Sequence, residues 1–213
     1  MKQIKLSVIL VFCCFLTAPA LAQEAFGLFA GFNFTNLSRS PGLAGTSHSQ
    51  SSRFAFGALV DFKLFGDLEL RLEPMFVRKG AIFDFTDPSN ETQPDQRFTK
   101  NYDYFETPAM LKYNLFSEKE PVFLLAGPSF AIPISLKHNS RAETVDAGDE
   151  LSGFDFGATV GAGITLKATN ANFFLEGRFN VGLKNINASD DDSFSLKNNG
   201  FRVLFGLQFP LGK

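Results

Sequence analysis

Phe154-Asp155-Phe156-Gly157-Ala158-Thr159-Val160-Gly161-Ala162-Gly163-Ile164-Thr165-Leu166-Lys167 is the stretch that decides the fold. Its even positions are all apolar: Phe154, Phe156, Ala158, Val160, Ala162, Ile164 and Leu166. Its odd positions are all small or polar: Asp155, Gly157, Thr159, Gly161, Gly163, Thr165 and Lys167. A period of two belongs to a β-strand with two unlike faces. Fourteen residues at ~3.3 Å each make a strand roughly 46 Å long. A strand packed between two soluble layers rarely keeps so clean a split over that length.

The same split recurs on both sides. In residues 26–35, Phe26, Leu28, Ala30, Phe32 and Phe34 share one face. In residues 54–65, Phe54, Phe56, Ala58, Val60, Phe62 and Leu64 oppose Asp61 and Lys63. In residues 68–79, Leu68, Leu70, Leu72 and Phe76 oppose Glu69, Arg71, Glu73 and Lys79. In residues 104–116, Phe105, Ala109, Leu111, Tyr113 and Leu115 oppose Glu106, Lys112 and Asn114. In residues 173–184, Phe173, Leu175, Phe179, Val181 and Leu183 oppose Glu176, Arg178 and Asn180. In residues 201–211, Phe201, Val203, Phe205, Leu207, Phe209 and Leu211 oppose Arg202 and Gln208. Residues 122–136 are apolar on both faces for part of their length, so their inward side stays ambiguous. The pattern makes eight strands.

The connections alternate strictly between short and long. Short ones lie at Gly66-Asp67, at residues 117–120 and at residues 169–171. Long polar ones lie at residues 36–53, 84–98, 138–151 and 187–199. In an antiparallel meander this gathers all long loops at one end. The expectation is an all-β, eight-stranded antiparallel up-and-down transmembrane β-barrel, with short periplasmic turns and long extracellular loops.

Alternation alone does not say which face is outside. A secreted lipocalin-like carrier of an apolar ligand also has eight strands, with the apolar face turned inward. Three features favour apolar-out. Charges of both signs share the polar face: Glu69, Arg71, Glu73, Glu106, Lys112, Glu176, Arg178 and Arg202. A narrow lumen requires such charges to be paired, so these eight are the expected interior ion-pair network. Glycines cluster on the same face (Gly27, Gly31, Gly57, Gly157, Gly161, Gly163), leaving room for longer neighbours. The apolar face lacks the few polar groups that orient a ligand.

Composition agrees. The chain has 213 residues with 27 Phe, 3 Tyr and no Trp, at a formal charge of −2. So many Phe and so little charge argue against disorder. The absence of a basic excess argues against nucleic-acid binding. Lys2 and Lys5, the apolar run 6–16 and the Ala20-Leu21-Ala22 site read as a secretory signal peptide over residues 1–22, leaving residues 23–213 as the barrel domain. Cys13 and Cys14, the only cysteines, fall inside that segment, so the mature chain has no disulfide. Phe12 before Cys13 argues against lipidation there.

Catalytic signals are weak. His48 and His138 fall in the expected long loops, without a second His or Cys at ligand spacing. Asp190-Asp191-Asp192 lacks the glycine and distal Glu of a calcium loop and reads as a solvated tip. There is no G-x-S-x-G, and Gly161-Ala162-Gly163 has no helix after it to hold a phosphate. No cofactor or metal is expected, and the chain reads as non-enzymatic. A small outer-membrane lipid-modifying enzyme is the least favoured alternative.

The chain resembles the Bacteroidetes outer-membrane β-barrel family called PorT-like. The resemblance covers the whole mature chain. It rests on Gly31-Phe32-Asn33-Phe34-Thr35-Asn36-Leu37, Leu70-Arg71-Leu72-Glu73-Pro74 with Arg78-Lys79-Gly80, and Phe105-Glu106-Thr107-Pro108-Ala109-Met110-Leu111-Lys112-Tyr113. Ala126-Gly127-Pro128, Phe154-Asp155-Phe156-Gly157 with Gly161-Ala162-Gly163, and Arg178-Phe179-Asn180-Val181-Gly182-Leu183-Lys184-Asn185-Ile186 complete it. It implies a barrel in the outer membrane of a Gram-negative cell and no single activity; the family's namesake is linked to protein secretion. Many outer-membrane barrels end on an aromatic residue, whereas here Phe209 is followed by Pro210-Leu211-Gly212-Lys213. The expected partners are membrane lipid, and surface or secretion proteins met through loops 36–53, 84–98, 138–151 and 187–199, with the barrel itself a monomer. The role expected is structural, adhesive or secretion-accessory.

Overall fold

The computed structural model describes residues 23–40, 46–85, 96–115, 122–139, 144–146, 153–185 and 195–211. The expected signal peptide and the run Asp190-Asp191-Asp192 lie outside them. The strands are β1 (Gln23–Ser40), β2 (Thr46–Phe65), β3 (Leu68–Leu72), β4 (Met75–Phe85), β5 (Gln96–Asn114), β6 (Val122–Asn139), β7 (Thr144–Asp146), β8 (Asp155–Leu166), β9 (Asn172–Gly182) and β10 (Ser195–Pro210). All pairings are antiparallel, and β10 returns to β1 from Ala25↔Pro210 to Ser40↔Ser195. The sheet is therefore closed.

Ten segments make eight staves. β3 and β4 both lie between β2 and β5, and the register runs through them unchanged: Leu72↔Ala109 is followed three residues on by Met75↔Glu106. The gap is Glu73-Pro74, where proline has no N–H to give the ladder. The neighbouring bonds persist, with Glu73 N donating to Pro108 O at 3.2 Å and Ala58 N to Pro74 O at 3.1 Å. β7 pairs only with the far end of β6. Around the ring the staves run β1, β2, β3–β4, β5, β6, β8, β9, β10.

At the short end, Gly66 turns the chain from β2 to β3 with φ +54°, a conformation that suits glycine. Leu115 N bonds Val122 O at 2.9 Å, a rung between β5 and β6 at the same end. At the other end the strands run beyond their apolar stretches. Residues 36–40, 46–53, 84–85, 96–98, 138–139 and 195–199, expected as loop, are strand. His48 and His138 accordingly lie in β2 and β6 rather than in loops. The cause is that outside the membrane neither face has to be apolar, so pairing continues without alternation. Twenty residues of β2 span roughly 66 Å at ~3.3 Å each, whereas crossing a bilayer takes ~9–11.

The apolar face points out. Phe32, Phe54, Phe56, Phe130, Phe173, Phe179 and Phe205 are exposed, as are Leu28, Leu111, Val160, Ile164 and Leu175. Val160 is 51% exposed and its neighbour Thr159 0%. A band of this kind is far larger than the few hundred Å² that a soluble monomer leaves apolar, and it matches a lipid-facing wall. The lipocalin-like alternative needs the reverse facing and is overturned. On β6 the inward residues are Phe123, Leu125, Ser129 and Ala131.

Candidate functional site

The lumen holds the charges. Glu69, Arg71, Glu73, Glu106, Lys112, Glu176, Arg178 and Arg202 are all buried. Three further charges outside the expected eight join them: Asp61, Lys79 and Asp155. Their signal was available, since each sits on the small-or-polar parity of its own strand.

Nearest the short turns, Lys112 Nζ lies 2.7 Å from Glu69 Oε2 and 2.9 Å from Asp61 Oδ2. Asn114 donates to Glu69 Oε1 at 2.7 Å, and Gln208 to Asp61 Oδ2 at 2.7 Å. Arg71 holds Asp61 through Nε and Nη2 and reaches Glu176 Oε2 at 3.3 Å with Nη1. Arg178 donates to Glu73 Oε1 at 2.6 Å and also contacts Glu176. Towards the long-connection end, Arg202 reaches Glu106 Oε1 at 3.1 Å and Asn33 Oδ1 at 3.2 Å. Lys79 Nζ lies 3.0 Å from Glu106 Oε2 and 3.3 Å from Asp155 Oδ2.

These contacts cross the lumen. The β3–β4 stave and β9 are four staves apart in either direction around the ring, so they stand opposite each other. Arg71 and Glu73 on the first side meet Glu176 and Arg178 on the other. β5 and β10 are likewise opposite, and Glu106 meets Arg202 across the same space. Two diametric ties, one stave apart in rotation, therefore fill the middle of the barrel. Arg178 and Arg202 face each other directly across β9 and β10. Like charges so placed repel, and each turns to a different carboxylate. Space for these long side chains comes from glycine: a Cβ on Gly161 would lie 2.8 Å from Arg178 Cγ, and one on Gly163 would lie 2.8 Å from Glu176 Cβ.

The interior is not purely polar, contrary to the picture of an apolar exterior around a charged filling. Phe29, Leu59, Met75, Val77, Tyr102, Tyr104, Phe174 and Leu204 form one buried cluster, and Met110, Phe123 and Leu125 another. The Arg71 guanidinium stands 5.2 Å from the Phe123 ring and 5.6 Å from Phe174, and Lys79 Nζ stands 4.8 Å from Tyr104. Cations against aromatic faces gain electrostatic contact where water is absent. The reason is volume: a lumen wall need be polar only where it meets a charge.

On the outer wall, the Arg78 guanidinium pairs with Asp103 at 2.5 and 2.8 Å and lies over the exposed Phe54 ring. At the short-turn mouth the lumen opens into a bowl of about 250 Å³ whose lining includes Glu24, Lys63, Glu69, Lys112 and Gln208. Chemically, the buried carboxylates are engaged with guanidinium or ammonium groups. Among the described residues no three His, Cys, Asp or Glu side chains gather as a metal site.

A closed eight-stave sheet with an apolar outside and a charged inside defines an outer-membrane β-barrel. The chain belongs to the outer membrane protein beta-barrel domain family, whose model matches residues 21–188. It lies in the outer membrane. Among solved structures, the outer membrane protein OprG from Pseudomonas aeruginosa is similar, with a TM-score of 0.54, 12% identity, and coverage of 88% of this chain and 97% of that one. Ail, the attachment invasion locus protein of Yersinia pestis, aligns with a TM-score of 0.44 and 12% identity over 88% of this chain and 99% of that one. No curated protein sequence matches the chain.

Proposed function

We propose that this protein is a non-enzymatic, non-conducting outer-membrane barrel, closed inside by charge pairing, that works through its long-connection end as a structural, adhesive or secretion-accessory protein. The observation that carries the reading is the pair of diametric ties, Arg71 and Glu73 with Glu176 and Arg178, and Glu106 with Arg202. Side chains that meet at the axis of an eight-stave barrel leave no continuous aqueous path. The carboxylates are taken up by cations of the opposite stave rather than set around an open cleft, which supports a reading without catalysis. The likeness to the PorT-like family of the Bacteroidetes, and the leader read over residues 1–22, fit export to this membrane and a monomer seated in its lipid. The extended strand ends beyond the apolar band supply the surface that partners would meet.

Two measurements test it. In planar bilayers the purified barrel gives no open-channel steps, and sustained conductance from the folded form would sink the sealed reading. Deleting the gene and profiling the surface and secreted proteome should change specific proteins while small-solute permeability stays the same. An unchanged proteome together with altered permeability would overturn the accessory role.

A further inference from the structure

Near the long-connection end the lumen holds a recess of about 20 Å³, bounded on one side by β8, β9 and β10 and on the other by Lys79, Glu106, Ser129 and Ala131. Gly157 and Gly182, partners across β8 and β9, line it with bare backbone. Three polar atoms of residues lining it have no partner: Asp155 Oδ1, Asn180 Nδ2 and Asn198 Oδ1. Asp155 and Asn198 are only 4% and 5% exposed. Their other polar atoms are engaged, with Asn198 Nδ2 donating to Asp155 Oδ2 at 2.8 Å and Thr159 Oγ1 donating to Asn180 Oδ1 at 2.8 Å. A buried polar group left without a partner is costly, and native structures answer nearly all of them.

Two acceptors and one donor around one space match a single water molecule. Water donates two hydrogen bonds and accepts from a third group, and it needs a cavity of only ~10–15 Å³ on this measure. A metal cation fits less well. Lys79 Nζ already lines the recess, 3.3 Å from Asp155 Oδ2. At this level Lys79 and Arg202 balance Asp155 and Glu106, so no further positive charge is called for. The Asn180 amide would also turn its N–H towards the ion.

We propose that this recess is a resident water site, in which one ordered water donates to Asp155 Oδ1 and Asn198 Oδ1 and accepts from Asn180 Nδ2. The water joins three consecutive staves from inside, at the end where β8 and β9 stop short of their neighbours. The folded barrel in detergent tests it in two ways. A high-resolution crystal structure should show one solvent peak at hydrogen-bond distance from all three atoms, and a thallium(I) soak should leave no anomalous peak there. Oxygen-17 relaxation dispersion should count one long-lived water fewer in Asn180→Leu, which replaces the donor amide with an apolar side chain, than in the wild type. An empty recess, a thallium peak, or an unchanged count in a folded Asn180→Leu barrel would each overturn the proposal. The wild-type crystal decides the matter if that variant does not fold.

Discussion

Arg71 on β3 grips Asp61 on β2 with two nitrogens of its guanidinium: Nε donates to Oδ1 and Nη2 to Oδ2, each at 2.7 Å. The two residues are register partners across adjacent staves, and neither side chain is exposed. The same Asp61 also accepts from Lys112 and Gln208. One carboxylate therefore answers two buried cations and an amide. Asp61→Asn keeps the shape and removes the charge, leaving Lys112 with Glu69 alone and Arg71 with the more distant Glu73 and Glu176. Breaking one side of a buried pair typically costs ~3–5 kcal/mol. Urea unfolding in phospholipid vesicles, followed by heat-modifiable gel migration, should show a loss in that range. A loss below about 1 kcal/mol would mean that solvent reaches Asp61 and that the pair is not sealed.

Neighbouring residues on β8 should fail for opposite reasons. Val160 is half exposed midway along the outward row that runs from Phe154 to Leu166, and Thr159 is fully buried. Val160→Arg puts a charge into lipid and should cost ~2–4 kcal/mol near the midplane. Thickening the hydrocarbon layer with longer acyl chains should deepen that loss. Thr159→Arg instead forces a long side chain into the lumen beside Asn180, and its loss should not vary with lipid thickness. A Val160→Arg barrel that folds as well as the wild type would reverse the facing.

The two-faced split was legible from alternation because lipid imposes it, every second residue of a membrane stave meeting hydrocarbon, and the charges and glycines gathered on one parity pointed to which face is outside. The pairing of individual charges was not. Arg71 and Glu176 are 105 residues apart and meet only because their staves stand opposite in the closed ring. Asp61, Lys79 and Asp155 carried the right parity, yet nothing local to the chain says which polar-face charges sit deep and which, like Lys63, sit at the mouth. The extended ends of β1, β2 and β10 were missed because Thr46-Ser47-His48-Ser49-Gln50 has no apolar face to alternate. The apolar inner positions of β6 were ambiguous because Phe123 and Leu125 pack inward with Met110, as an ordinary core would.

The glycines of the polar face make a separate test of lumen packing. A Cβ on Gly161 would lie 2.6 Å from Gly177 O and 2.8 Å from Arg178 Cγ. Gly161→Ala should push Arg178 away from Glu73 and cost ~1–3 kcal/mol by overpacking. Gly153→Ala is the control, since nothing lies within 4 Å of its added carbon. Unfolding midpoints compared in one lipid should fall for the first and stay put for the second. Equal midpoints would show that the lumen has slack beside Arg178.

The ion pair at the short-turn mouth sets the other limit. Lys63 Nζ lies 3.4 Å from Glu24 Oε2, but these side chains are 45% and 43% exposed. Water and salt screen such a pair, and ordering two long side chains costs entropy, so its net worth is small. Lys63→Ala should change the unfolding free energy by less than about 0.5 kcal/mol, and 1 M salt should erase even that. The Asp61→Asn loss should survive the same salt, because no ion reaches the site. Parallel titrations of both variants at low and high salt make the comparison. If salt removed the Asp61→Asn loss as well, the two pairs would be equally wet and the lumen open.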